Sequence, residues 1–293
     1  MKPLYMWAGG KTKMISKYED CPGIPKSGFD VFVEPFFGGG ALTVYMSKFK
    51  PERIVINDIN TEIIGIYNAI KTDVDNFMSV VDDLSHQYLP LSKEERKAFY
   101  YETRASYIKD YTQWTKTKES GVLYFLMKTS FNGIFQSMKE ANGRFATPAG
   151  LLNQTTEVYD KNNVVEWNNF LQRVEIQSGD WKTCVDSVKG RAFFFMDPPY
   201  RDSFAQYEQE FPDSAHIELI DFCKEADKEG HLVYYCNRDA SDSFYDDHKG
   251  QLRISYYDVT YTAGRRATDA TKSKQAKKAK EVLLYSPRLI ING

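Results

Sequence analysis

Residues 30–58 constrain the fold of this chain more than any other stretch. Asp30-Val31-Phe32-Val33-Glu34 reads as a buried strand, Gly38-Gly39-Gly40 as a tight turn, and Ala41 to Phe49 as a helix. Arg53-Ile54-Val55-Ile56-Asn57-Asp58 is a second apolar strand that ends in an acid, and helical spacing resumes from Glu62 to Lys71. Strand, glycine turn, helix, strand, acid is the outline of a nucleotide-binding β-α-β unit. The glycines belong where backbone approaches a ligand closely, and an acid at the end of the second strand commonly takes ribose hydroxyls. Glu34-Pro35-Phe36-Phe37-Gly38-Gly39-Gly40 does not fit G-x-G-x-x-G, which disfavours a dinucleotide. Gly10-Lys11-Thr12 is no P-loop either, because that motif needs glycine where Tyr5 stands, so a nucleoside triphosphate is also disfavoured.

From about Lys71 to Leu152 long amphipathic stretches predict helices, closed by a loop rich in Asn and Gly from Phe131 to Gly150. Strand signals then return at Arg173–Ile176, Ala192–Met196, His231–Cys236, Leu252–Tyr261 and Glu281–Tyr285. An α/β domain interrupted by a helical insert fits this order better than two sequential domains. The last two strands predict a late antiparallel hairpin around a charged tip. With 293 residues, 42% hydrophobic and 27% charged, the chain can bury a sizeable core, and wholesale disorder is excluded.

No apolar run is long enough to span a bilayer, and the N-terminus lacks the apolar region of a signal peptide. Four scattered cysteines (Cys21, Cys184, Cys223, Cys236) and four dispersed histidines argue against a disulfide framework, a zinc site or a zinc deaminase. The expectation is a cytoplasmic protein without a structural metal.

Asp197-Pro198-Pro199-Tyr200 directly follows the strand Ala192–Met196, where open α/β sheets place their sites. The exocyclic amine of a nucleobase is a poor nucleophile because its lone pair is delocalised into the ring. A carboxylate accepting one N–H and a carbonyl accepting the other favour a pyramidal nitrogen whose lone pair is free to attack. Asp197 supplies the carboxylate. Pro198, with locked φ and no N–H, can hold a carbonyl in a fixed direction. Tyr200 offers a flat face for an extruded base. The competing reading is a proline-rich turn with a polar tyrosine packed beneath it.

Trp7-Ala8-Gly9-Gly10-Lys11, Glu34–Gly40, Asn57-Asp58-Ile59-Asn60, Ser130-Phe131-Asn132-Gly133 and Asp197–Tyr200 together resemble, in order, the motifs of Dam-type DNA adenine-N6 methyltransferases, the α-group or D12 class. The resemblance runs from residue 7 to about residue 286. It implies an α/β fold with a Rossmann-like S-adenosylmethionine-dependent methyltransferase sheet, a late antiparallel hairpin and a helical target-recognition insert. Residues 1–66 and 153–293 would form the catalytic domain and residues 67–152 the insert. S-adenosyl-L-methionine would be the cofactor, held by Trp7, Gly9, Gly10, Lys11, Phe36, Gly38, Gly40, Asp58, Asp180 and Asp197. Catalysis would fall to Asp197, Pro198 and Tyr200, acting on a flipped adenine in double-stranded DNA, with the enzyme a monomer or weak dimer.

By the same resemblance, Phe131–Gln136 and Gly143–Pro148 would form a DNA-facing hairpin. Phe131 would wedge into the duplex, and Asn132, Ile134, Gln136, Arg144 and Pro148 would lie beside it. The stretch Arg265–Lys280 holds seven basic residues against one acid, Asp269; Lys272, Lys274 and Lys277 would contact phosphates from a flap. Family members that methylate GATC usually carry a lysine just before the Trp-Ala-Gly-Gly-Lys string and an arginine three residues beyond the Asn-Gly pair. Here those positions are Met6 and Gln136, so the target is expected to differ from GATC, or to be relaxed, unless Lys139 or Arg144 supplies the missing cation. Methylation of RNA adenine or of cytosine N4, and a catalytically silent DNA-binding protein of the same fold, stay open at this level.

Overall fold

A computed structural model describes residues 1–7, 9–201, 211–261 and 277–289. Its strands are β1 (Val31–Glu34), β2 (Arg53–Asp58), β3 (Val174–Ser178), β4 (Ala192–Met196), β5 (Leu232–Arg238), β6 (Arg253–Tyr261) and β7 (Lys277–Tyr285). They form one sheet in the order β3-β2-β1-β4-β5-β7-β6. The first five are parallel; β7 lies antiparallel to β5, and β6 antiparallel to β7. This is the Rossmann-like sheet with a late antiparallel pair that the sequence predicts. Because β1 leads outward to β2 and β4 leads the other way to β5, the strand order reverses between β1 and β4. Open α/β sheets place their ligand crevice at such a reversal, at the carboxyl ends of the strands.

The helices are α1 (Ile15–Asp20), α2 (Ala41–Met46), α3 (Thr61–Thr72), α4 (Val74–Tyr88), α5 (Lys93–Asp110), α6 (Lys116–Thr129), α7 (Lys161–Leu171), α8 (Trp181–Asp186), α9 (Asp213–Lys228) and α10 (Phe244–His248). Several of them start at side chains that accept otherwise unpaired backbone N–H groups. Asn60 caps α3, Asp160 caps α7, and Ser92 with Glu95 forms a capping box on α5. α2 stops at Met46, before the predicted Phe49, and a single tighter turn (Ser47–Phe49) follows it.

Alternation along the strands assigns the two faces of the sheet. Phe32, Ile54, Ile56, Phe193, Phe195, Tyr234 and Leu283 join one apolar cluster with α3, α6 and α7. Val31, Val33, Val55, Phe194, Met196, Val233 and Leu284 point the other way, onto Trp181, Cys184, Leu219 and Cys223 of α8 and α9. The helical insert has no core of its own. Phe77, Val81, Tyr88, Tyr100 and Val122–Met127 belong to the same cluster as the sheet residues. The insert's apolar side chains thus pack into one core with one face of the sheet.

Two expectations need correction. The last strand begins at Lys277 rather than Glu281, so Lys277, Lys278 and Lys280 are strand residues paired with β6, not part of a loop tip. The predicted hairpin between Phe131 and Pro148 is an irregular ribbon, held by antiparallel bridges at Ser130–Ala149 and Ser137–Phe145. Arg265, Arg266, Lys272 and Lys274 lie outside the described residues. Among the described residues no helix is long and apolar enough to cross a membrane.

Candidate active site

The crevice is built from three loops and the N-terminal segment. After β1, the turn Pro35–Gly40 bends with positive φ at Gly38 (49°) and Gly40 (64°), a region that favours glycine. A Cβ on Gly38 would fall 2.5 Å from Trp7 Nε1, and one on Gly40 would fall 2.4 Å from Phe37 Cζ. Only glycine fits at either place. Asp58, at the end of β2, accepts from Gly38 N at 2.8 Å and from Asn60 N at 2.9 Å, which ties the turn to the next strand. Burial pushes the Asp58 carboxyl up, against the pull of those two amides.

The N-terminal segment drapes over this turn. Trp7 lies against Gly38 and Gly39 and reaches Phe135 of the insert, with 6.1 Å between ring centroids. Gly10 N closes a turn on Trp7 O at 3.1 Å. Gly9, with φ of 78°, approaches the Tyr200 ring so closely that a Cβ there would sit 3.5 Å from its hydroxyl. Lys11 is 3% exposed and donates to Asp197 Oδ1 at 2.6 Å, Gly9 O at 3.0 Å and the Tyr200 hydroxyl at 3.2 Å. All three ammonium hydrogens are thus directed.

Burial raises the Asp197 carboxyl to about 6, with Glu281 adding to the rise and Lys11 opposing it. Burial alone would lower Lys11, but the charges of Asp197 and Glu281 outweigh it and hold the ammonium above the usual lysine value. Glu34, at the end of β1, is raised to about 8 by burial, although Thr43 donates to it through both backbone N and Oγ1.

The Asp-Pro-Pro-Tyr loop is gripped from behind by Asn237 of β5. Its side chain donates to Pro199 O at 3.3 Å and accepts from Arg201 N at 3.0 Å, so both peptide groups flanking Tyr200 are fixed. Arg201, buried, makes a two-point contact with Asp213 (2.8 and 3.0 Å) and another with Asp242 (3.2 and 3.1 Å), stacked 3.7 Å over Phe244. The Pro198 carbonyl and Asp197 Oδ2 take no hydrogen bond among the described residues, so both keep acceptor capacity.

Sequence reasoning missed several members of this site. Asn57, 1% exposed, bridges Pro35 O and Gly179 O at 3.0 Å each and ties the ends of β1, β2 and β3 together. Asn237 and Arg201 hold the loop, and Glu281 of β7 accepts from the Tyr200 hydroxyl at 2.6 Å. An acid opening the otherwise apolar Val282-Leu283-Leu284-Tyr285 run was the one available signal for Glu281. Asp180 is exposed and caps α8 through Lys182 N at 2.9 Å; Gly179 N–Asp58 O, at 3.1 Å, brings it to the same rim. Phe36 is half-buried, its ring edge-on to Phe211 at 5.9 Å.

On the insert, Asn132 (φ 55°) and Pro148 are exposed, and Phe131, Ile134 and Gln136 are half-buried. Met6 is 66% exposed, and a Cβ on Gly133 would sit 3.5 Å from its own Cβ, so Met6 shares a surface with the Phe131–Gly133 turn. Arg144 is a correction. It turns inward, donates to Glu119 Oε1 at 2.6 Å, lies 3.3 Å from Glu62 and stacks 3.6 Å over Tyr111. In the structure its guanidinium is engaged by carboxylates of α3 and α6, so it braces the insert rather than standing out as an exposed cation.

A buried cation–carboxylate pair at a strand end, beside a ribbon whose Asn132 and Pro148 are exposed, is an arrangement suited to work on a nucleic-acid base. Comparison with known families agrees: the model for D12 class N6 adenine-specific DNA methyltransferases matches residues 7–263. The chain belongs to this family and is a DNA adenine methyltransferase. It is 32% identical to the type II methyltransferase M.MjaIII of Methanocaldococcus jannaschii, over 81% of this chain and 84% of that one. It is 25% identical to the type II methyltransferase M1.LlaDCHI of Lactococcus lactis subsp. cremoris, over 93% of each. With the DNA adenine methylase of Haemophilus influenzae it shares 23% identity over 78% of this chain and 76% of the other.

Proposed function

We propose that the chain is a site-specific DNA adenine-N6 methyltransferase that binds S-adenosyl-L-methionine in the crevice and receives an adenine flipped out of double-stranded DNA. The residues present fit such a donor. A glycine turn packed closely under Trp7 would bring backbone next to the donor, Asp58 retains lone pairs for hydroxyls, and the Lys11–Asp197 pair offers both signs of charge to a zwitterionic end. Trp7, Gly9, Gly10, Lys11, Phe36, Gly38, Gly40, Asp58, Asp180 and Asp197 are the residues assigned to hold it. When bound, it supplies an electrophilic methyl group.

The remaining work belongs to the chain. Asp197 Oδ2 and the Pro198 carbonyl accept the two hydrogens of the adenine amine, drawing the nitrogen toward a tetrahedral shape with its lone pair out of the ring plane. Tyr200 stacks on the base. The proton shed by the alkylated nitrogen passes to Asp197, whose carboxylate, raised to about 6, is basic enough to take it and acidic enough to release it. Residues 67–152 act as the target-recognition insert, with Phe131 as the wedge that fills the space left by the extruded base.

The observation that carries this reading is the Lys11–Asp197 contact at 2.6 Å beside Tyr200, on the rim of the glycine turn. Asp197→Ala should abolish methyl transfer while leaving DNA affinity nearly unchanged, since phosphate contacts dominate affinity and the carboxylate acts at the transition state. Residual activity above roughly one per cent of wild type would count against the assigned role.

A further inference from the structure

Glu281 reaches the catalytic loop from the far end of the chain. Asp197 follows β4 and Lys11 belongs to the N-terminal segment, whereas Glu281 sits on β7, which is antiparallel to β5. Its carboxylate is 2% exposed and accepts from the Tyr200 hydroxyl at 2.6 Å. The same hydroxyl accepts from Lys11 Nζ at 3.2 Å, and Nζ donates onward to Asp197 Oδ1 at 2.6 Å. One ammonium and one phenol thus connect two buried carboxylates in an unbroken chain of hydrogen bonds.

The charge count of this chain sets its chemistry. A single ammonium paired with Asp197 alone would neutralise it and tie up its basicity. With a second carboxylate in range, the ammonium is shared. We propose that Glu281 is a positioning residue for methyl transfer, orienting Tyr200 and drawing Lys11 so that Asp197 stays basic enough to receive the amine proton. This rests on Asp197 being the acceptor of that proton. The groups surrounding Glu281 are Lys11, Asp197 and Tyr200 on the crevice side, Cys236 of β5 and Tyr18 of α1 beyond them, and its register partners Arg238 on β5 and Tyr257 on β6. Burial drives the Cys236 thiol and the Tyr18 phenol well up, so both are neutral where the enzyme works. Glu34 faces Asp197 from the end of β1.

The test is the pH dependence of single-turnover methyl transfer for the wild type, Glu281→Gln and Asp197→Asn, with duplex affinity and thermal unfolding measured alongside. Glu281→Gln keeps an acceptor for Tyr200 and removes only the charge. Its rate should fall roughly ten- to a hundredfold, in the range expected of lost positioning. Its acid limb should move to lower pH, because Lys11 then acts on Asp197 alone; duplex affinity should hold. An unmoved acid limb, or a loss confined to duplex affinity, overturns the proposal. An active Asp197→Asn sinks the assignment of Asp197 instead, which separates the two failures. Should Glu281→Gln not fold, Tyr200→Phe keeps the ring and breaks the chain of hydrogen bonds. A reduced single-turnover rate at unchanged duplex affinity then supports the proposal, and full activity overturns it.

Discussion

Lys11 Nζ lies 2.6 Å from Asp197 Oδ1 in a setting where the lysine is 3% and the aspartate 19% exposed, so each is the other's main neutralising partner. Replacing Lys11 by Met leaves Asp197 facing Glu281 without a cation. The Asp197 carboxyl should then rise above about 6, and the acid limb of methyl transfer should move up in pH. That direction is opposite to the one expected for Glu281→Gln. Loss of one partner of a buried pair costs about 3–5 kcal/mol, less where protonation relieves the stranded charge. Rate profiles and urea unfolding read both effects, and an unchanged limb would separate Lys11 from Asp197's chemistry.

Glu34 makes stability depend on pH in a direction unusual for a carboxylate. Its folded value is raised from 4.5 to about 8. Below 4.5 both states hold the proton and no dependence arises. Between 4.5 and about 8 the unfolded chain ionises while the folded one keeps its proton, so this group's contribution falls as pH rises. Glu34→Gln removes that slope. Unfolding free energies at the two ends of the window should show wild type losing stability relative to the variant toward alkaline pH; parallel curves would contradict the burial argument.

Arg144 and the basic run should respond to neutralisation in contrasting ways. Arg144→Ala leaves Glu62 to the Tyr107 hydroxyl and Glu119 to the exposed Lys116, and should lower stability, by at most about 3–5 kcal/mol, with little change in the salt dependence of DNA binding. Neutralising Lys272, Lys274, Lys277 and Lys278 together should weaken binding to all duplexes alike and flatten the salt slope. A loss confined to one sequence, with the slope intact, would show that these lysines read bases.

The target should depart from GATC. Met6, exposed beside the Phe131–Gly133 turn, can donate nothing to guanine, and the Gln136 amide suits adenine. Arg144 is committed elsewhere, which leaves Lys139, exposed on the same ribbon, to supply a cation. Each missing guanine contact removes about 1–3 kcal/mol of discrimination. Mapping methylated adenines after reaction on random DNA decides the matter: strict GATC methylation at normal rates would refute the expectation and point to Lys139.

What could be read from the sequence was whatever local pattern determines. The strands β1, β2 and β4 are apolar on both faces and announce themselves, and Asp197–Tyr200 follows β4 without a gap. Glu281 was invisible as a site residue because only the placement of β7 beside β5 carries it to Tyr200. Arg144 resembled a DNA contact because its neighbours Gly143 and Phe145 lie in the segment expected to face DNA. The carboxylates that capture it come from α3 and α6, distant in sequence. Asn237 was hidden the same way, a single polar residue within a buried strand whose role depends on the loop of another strand.

The position of β7 between β5 and β6 has a consequence for how the enzyme comes into being. On the ribosome, β5 and β6 emerge before their shared neighbour exists, and each must wait with an unpaired edge for Lys277–Tyr285 to arrive. The same late segment brings Glu281, so closing the sheet and completing the polar cluster around Tyr200 are one event. A nascent chain cannot acquire a finished catalytic centre ahead of its fold. A chain that stops short of β7 would leave the edges of β5 and β6 unpaired and Tyr200 without Glu281.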